Sequence, residues 1–312
     1  MKRVLGGLII LTLACAGLFG LANVNSLDDG IRYLQAALNY TPTPAQPLDP
    51  RGKFGFCESF MALRNAARAQ FIANYLDARG IAYQRLPIGD TGFDNIWVPF
   101  AAQGPFTIFS AHYDKFFDDP LYQGASDNSA AVCILLVAAQ ALNHETLPRP
   151  VAILFTGEEE AGLVGAQAFY EYATQNNVRV AEVINLDSMG RGGLAARASG
   201  EHSGFVFAIP FSGEFVYDGR NLARASAYRQ PDAQLLQRLQ RAAPVTLLDR
   251  MVAKSDGTLF QTLGWNAVNL TADDIFYLEQ TWHTYGDRAG LLAQDHFERA
   301  LNLILQYARQ EP

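Results

Sequence analysis

Cysteine is scarce, with three in 312 residues: Cys15, Cys57 and Cys133. That excludes a disulfide-stapled scaffold. Neither Cys57 nor Cys133 has the cysteine spacing of a thiolate metal site. In an oxidising compartment the two could pair. Cys133 lies in an apolar helical run, where a buried free thiol is equally at home. Basic residues are also short, 24 Lys and Arg against 31 Asp and Glu, for a net charge of -7. This argues against nucleic acid as a partner, since phosphate binding needs clustered Lys and Arg. Glycine (26) and proline (14) show no excess, which excludes collagen-like and low-complexity chains. No internal repeat is evident, so a solenoid is excluded. Charged residues are few at 18%, whereas hydrophobic residues reach 49%. That is ample for a core and excludes a wholly disordered chain.

One long uncharged run is present. After Lys2 and Arg3, no residue from Val4 to Val24 is charged, and the run holds Leu8, Ile9, Ile10, Leu11, Leu18 and Phe19. Gly20 and Ala22 flank Leu21 as a signal-peptidase site requires. Residues 1–22 are therefore expected to be a signal peptide or an uncleaved membrane anchor. Either places the remainder outside the cytoplasm. Cys15 follows Thr12-Leu13-Ala14, a poor match to a lipoprotein signal. Residues 23–50, with Pro42, Pro44, Pro47 and Pro50, read as a spacer. Residues 51–312 read as one globular domain.

Within that domain, Phe60, Leu63, Ala67, Phe71 and Tyr75 predict a helix over 58–79, stopped by Gly80. Short strands are expected at 81–86, 95–99, 106–111, 151–155, 180–186, 205–209 and 267–270. Helices are expected at 129–142, 162–174, 232–242 and 291–309. Strands alternating with helices imply an α/β fold: three layers, with a mixed, largely parallel central sheet flanked by helices. Ligand sites in such folds lie beyond the carboxyl ends of strands.

The polar residues sit where that rule expects them. His112-Tyr113-Asp114 follows the strand 106–111. Glu158-Glu159-Glu160 follows 151–155. Asp187 ends 180–186. Trp282-His283-Thr284 lies past 267–270. Gly124-Ala125-Ser126-Asp127-Asn128 precedes a helix. Gathered carboxylates resist ionisation unless a cation compensates them. Two histidines with several carboxylates form a mixed N/O set suited to zinc, with other divalent metals possible. Two metals can share a bridging carboxylate and a water, and a free carboxylate can then move the proton.

These motifs, in this order, resemble the M28 family of metallopeptidases, the co-catalytic zinc aminopeptidases. His112-Tyr113-Asp114 resembles the family's His-x-Asp, Gly124–Asn128 its Gly-Ala-x-Asp-Asn, and Glu159–Gly165 its Glu-Glu-x-Gly-Leu-x-Gly. Asn185-Leu186-Asp187 is similar to Asn-Leu-Asp, and His283-Thr284 to His-Thr. Ser255-Asp256 with Phe260 and Gly264 is similar to Ser-Asp-His…Phe…Gly, with Gly257 in place of the histidine. Ala130-Ala131 stands where the family often has Ser-Gly. The resemblance implies two zinc ions. Asp127 would bridge them, His112 and Asp187 would complete one site, and Glu160 and His283 the other. Glu159 would be the general base, and Asp114 would stand behind His112. The Asp127-Asn128 peptide would be cis.

The expected function is an exported zinc-dependent exopeptidase, an aminopeptidase that attacks a peptide or aminoacyl substrate with metal-activated water. Residues 4–24 offer a membrane tether. A glutaminyl cyclase with one zinc shares this fold and is the rival enzyme, and a carboxypeptidase with the same metal centre stays open. A non-catalytic ectodomain is the rival outside enzymes. Phe116, Phe117, Tyr122, Phe276, Tyr277 and Trp282 are candidates for a substrate pocket, against core or rim packing. Asp118-Asp119 and Asp273-Asp274 read as solvated loop acids. His144, His202 and His296 read as ordinary polar residues.

Overall fold

Three apolar runs form the centre of one sheet because they have no polar face to expose. β3 (Phe106–His112) and β4 (Val151–Thr156) are buried at every position, as strands covered on both faces are. β5 (Val180–Leu186) joins them. β4 and β5 pair with β3 in parallel, and β8 (Ala267–Ala272) extends the parallel set beside β5. The edges turn antiparallel. β1 (Gln84–Pro87) and β2 (Asp94–Pro99) form a hairpin on β4. β6 (Leu194–Arg197) runs against β8, and β7 (Val245–Leu248) lies parallel to β6. The order is β1-β2-β4-β3-β5-β8-β6-β7.

This computed structural model describes residues 45–197, 232–248 and 255–311, apart from the side chains of Phe276 and Glu279. All belong to one compact unit, Pro42–Gly200 with Tyr228–Pro312. The expected leader and the expected strand 205–209 lie outside the described residues.

The helices are α1 (Cys57–Met61), α2 (Asn65–Asp77), α3 (Ala130–Leu142), α4 (Val164–Gln175), α5 (Ala233–Ala242), α6 (Asp256–Thr262), α7 (Ile275–Glu279) and α8 (Gln294–Ala308). The period of two in β3 divides them into two layers. Phe109 and Ala111 face a core shared with α1, α2, α3 and α8. Phe106 and Ile108 face the opposite core, with Ala166 and Phe169 of α4 and Phe260 of α6. Helix α3 is apolar all round and nearly all buried, as a helix between layers must be. Ala130 and Ala131 lie wholly inside. Among the described residues, the stretch Ala125–Leu142 is long and apolar enough to cross a membrane, and 89% of it is buried inside the fold.

One expected helix breaks in two. Residues 58–79 form α1 and α2, with Arg64 extended between them at φ -74° and ψ 156°. The break frees the start of α2 to bind the loop after β3. Asn65 N donates to Asp118 Oδ1 at 2.7 Å, and the Asn65 side chain exchanges two hydrogen bonds with the Lys115 backbone. An acid accepting at a helix start is favourable in its own right. The break also shifts the buried face, so Arg68, Ala69, Ile72 and Leu76 point inward and Ala67 does not. Cys57 and Cys133 are both free and buried. Gln46 O accepts from Gln294 N at 2.9 Å, so the end of the expected spacer touches the start of α8.

Candidate metal centre

Parallel register brings the site together. Ser110 stands opposite Asn185, so His112 and Asp187, each two residues further on, emerge side by side. His112 pairs with Thr156, three residues before Glu159. After β3 the chain returns through a π-helical turn, Ala125–Ser129, whose first cap Gly124 takes a left-handed φ of 51°. Asp127 sits inside this turn, and its bond to Asn128 is cis. Asn128 Nδ2 donates to Leu186 O at 2.8 Å, tying the turn to the end of β5.

Glycines shape the acidic loop. A Cβ on Gly165 would stand 2.0 Å from Gly157 O, so only glycine lets α4 close onto the end of β4. Gly162 has φ 114°, a conformation that favours glycine. Four neighbouring positions adopt left-handed backbone without glycine: Glu158 (φ 57°), Leu163 (66°), Ser188 (55°) and His283 (53°). Each costs about 1 kcal/mol or more, and such strain gathers at functional sites. Asp114 holds the loop by accepting from Glu159 N at 3.2 Å and Glu160 N at 3.0 Å.

The side chains form two overlapping clusters. His112 Nε2 lies 3.1 Å from Asp127 Oδ1 and 3.9 Å from Asp187 Oδ1. His283 Nε2 lies 3.4 Å from Asp127 Oδ2 and 3.3 Å from Glu160 Oε2. Asp127 is thus common to both halves. Donor atoms of His112, Glu159 and Asp187 fall within 4.8 Å of one another, as do those of His112, Asp127 and Glu160. Asp114 Oδ1 faces His112 Nδ1 at 3.5 Å. All five expected ligands, and both Glu159 and Asp114, therefore meet at one place.

The chemistry of this set fits a divalent cation. Nitrogen and oxygen ligands about 2.0–2.2 Å from a tetrahedral zinc stand roughly 3.3–3.6 Å apart, close to the separations here. Glu160 Oε1 is buried with no hydrogen-bond partner, an acceptor that a cation would satisfy. The electrostatics agree. Burial, then Asp127, raises the Glu160 carboxyl to about 7. Burial likewise lifts Glu159 well above the carboxylate range, with Asp256, Glu160 and Asp187 adding to it against the pull of His112. Asp187 is raised by burial and by Asp127. Burial opposes the charge on His283, yet Asp127 and Glu160 carry it up to about 9. Burial opposes ionisation of Asp127 too, but the two histidines hold it far below its usual range. Protons thus supply the positive charge that these acids demand.

Several further polar residues have structural roles that the motifs did not assign. Asp287 is fully buried and accepts from Ser126 N and Oγ, both at 2.8 Å, and from Asp127 N at 3.2 Å. Its position four residues after His283 was the available signal. Asp256 is buried, accepts from Thr156 Oγ1 at 2.5 Å, and is raised to about 7 by burial. Gly257 has no room for the family's histidine, because a Cβ would stand 2.2 Å from Asn269 Oδ1 and 2.9 Å from Asn185 Cβ. Asp274 is buried beside Arg191 at 3.4 Å rather than solvated. His296 is buried too, with Nδ1 3.0 Å from Gly192 O.

Of the candidate pocket aromatics, Phe116 and Trp282 stack on His283. Phe117 stacks on Tyr285, and Tyr122 is buried edge-on beneath both. Tyr277 instead lies against Arg191.

Several known proteins are similar to this chain in sequence or in fold. The vacuolar membrane protease of Candida tropicalis is 33% identical over 103 residues, which is 33% of this chain and 11% of that protein. The chain thus spans only a small part of such relatives. The LapA aminopeptidase of Legionella pneumophila has a similar fold, with a TM-score of 0.62 at 15% identity, covering 88% of this chain and 79% of that one. A glutaminyl cyclase of Porphyromonas gingivalis has a TM-score of 0.61 at 15% identity, covering 84% and 98%. The family model of Peptidase family M28 matches residues 98–308, which is most of the described domain, and the chain belongs to that family.

Proposed function

We propose that this chain is an exported, zinc-dependent aminopeptidase that removes N-terminal residues from peptides. The observation that carries the reading is the shared carboxylate: Asp127 faces His112 with one oxygen and His283 with the other. Two histidine–carboxylate clusters joined by one aspartate suit a pair of cations. Asp127, His112 and Asp187 would hold one zinc, and Asp127, Glu160 and His283 the second. Zinc there would supply Lewis-acid polarisation of a scissile carbonyl and a lowered pKa for a nearby water.

The protein's own groups then move the proton. Glu159 sits among the cluster without being needed as a ligand in this assignment. Added positive charge offsets the burial, and the repulsion from Asp256, Glu160 and Asp187, that keep its carboxyl protonated. The carboxylate takes a proton from the attacking water and returns it to the departing amine. Asp114 faces His112 Nδ1, which presents Nε2 towards the centre. Trp282 and Tyr285 are half-exposed, and Trp282 stacks on His283. Residues 1–22 would direct export, by cleavage or as an anchor through 4–24, and 51–312 would be the catalytic domain.

Glu159→Gln should abolish peptide hydrolysis, with a loss of at least about 100-fold, while bound zinc, read by elemental analysis, is retained. Substantial remaining activity would remove Glu159 as the base. A second reading, glutaminyl cyclisation by one zinc, is favoured by the likeness to a cyclase fold over nearly that whole chain. Zinc stoichiometry separates the two. So does a Gln-initiated peptide, which a cyclase converts with release of ammonia and no shortening.

A further inference from the structure

Trp282 is 48% exposed, yet its polar edge is turned inward. An indole at a protein surface usually leaves its N–H within reach of water. Here Nε1–H donates to Asp127 Oδ2 at 2.7 Å, an oxygen that also faces His283 Nε2 at 3.4 Å. The indole plane meanwhile lies on the His283 ring, with centroids 3.9 Å apart and 27° between planes. Phe116 also stacks on that ring, at 3.8 Å and 15°. One side chain thus grips two of the candidate ligands, Asp127 by its edge and His283 by its face.

We propose that Trp282 is a positioning residue. It sets the carboxylate plane of Asp127, so that Oδ1 addresses the His112 half and Oδ2 the His283 half, and it thereby governs how tightly the His283–Glu160 half takes a divalent cation. The inference rests on the metal-binding reading above. Rotation of an aspartate carboxylate about its last torsion is soft, and turning it moves both oxygens. A donor on Oδ2 resists that rotation. It leaves the second lone-pair direction of that oxygen for a cation. The two halves are unequal in this respect. His112 is faced from behind by Asp114, and Oδ1 receives nothing from the indole. Loss of the indole N–H therefore bears chiefly on the His283 half.

The test is a zinc titration of the full chain after chelator treatment, comparing wild type with Trp282→Phe. Phenylalanine keeps a ring face against His283 and lacks the N–H. The expected result is that one zinc weakens by about 10-fold or more, the usual scale for removing a hydrogen bond behind a ligand, while the other is unchanged. Should the wild type take one zinc, loss of its affinity is the expected result. Trp282→Ala, which also removes the stack, should weaken it further. Melting of the metal-free variants at the wild-type temperature shows that the fold is intact. Equal weakening of both zincs, or no weakening, overturns the proposal. So does a change in KM alone with zinc binding untouched, which would make the indole a substrate contact. If the wild type takes up no zinc, the metal reading itself fails. If wild type and Trp282→Phe bind zinc identically, only the positioning role fails.

Discussion

Single residues at this centre do work that their own chemistry does not announce. Gly257 is the plainest case. It lies where α6 passes the ends of β5 and β8, and Asn269 Oδ1 and Asn185 Cβ fill the space where a side chain would start. Asn185 and Asn269 are themselves bonded to each other and to Ser255, so neither can yield cheaply. Gly257→Ala should cost about 1–3 kcal/mol through overpacking, read as a lower denaturant midpoint. An unchanged midpoint would show that the two asparagines can move aside.

At the scale of elements, the centre is assembled by struts between segments far apart in sequence. The π turn carrying Asp127 is tied to β5 through Asn128 and to the His283 loop through Asp287. Removing the Asp287 carboxylate leaves buried donors on Ser126 and Asp127 without acceptors, at about 1–3 kcal/mol for each. Asp287→Ala is therefore expected to lower the melting temperature and to reduce zinc retained through gel filtration. Zinc retention equal to wild type would show that the turn holds its shape unaided. The α1–α2 break belongs to the same scale. The pattern of Phe60, Leu63, Phe71 and Tyr75 suits one continuous helix, and the competing demand comes from Asp118 and Lys115, which need the start of α2.

For the whole molecule, the clustered acids set how stability depends on pH. In the metal-free protein, Glu160 and Asp256 stand at about 7, Asp287 at about 6, and Glu159 and Asp187 are also raised. A carboxyl whose folded value exceeds its unfolded value stabilises below the unfolded value and loses that contribution as pH rises through the folded one. For Glu160 the window runs from 4.5 to about 7, and for Asp256 from 3.8 to about 7. His296 pulls the other way, being lowered by burial to about 4. The five acids outnumber it. Chelator-treated protein should therefore melt at progressively lower temperature from pH 5 to 7. Zinc should restore stability most at the upper end, where the ligands are deprotonated. A melting temperature that rises over this range without metal would contradict the crowding of charge described here.

The amino-acid order by itself determined the central strands, because β3, β4 and β5 are mostly apolar and short enough to read directly. It also determined which polar residues leave those strands, since His112, Glu159, Glu160 and Asp187 follow within a few residues. The resemblance carried by those motifs reached the cis bond at Asp127 and the pairing of His112 with Asp114. Tertiary structure decided the rest. The antiparallel edges β6 and β7, the divided helix at 62–64, the filled space at Gly257 and the grip of Trp282 on Asp127 each depend on contacts between distant segments. Asp127 and Trp282 lie 155 positions apart, and Ser126 and Asp287 lie 161 apart. Local propensity and spacing carry information over a turn or a strand. Which donor meets which acceptor across the end of a sheet is settled only when register and layer packing have placed both.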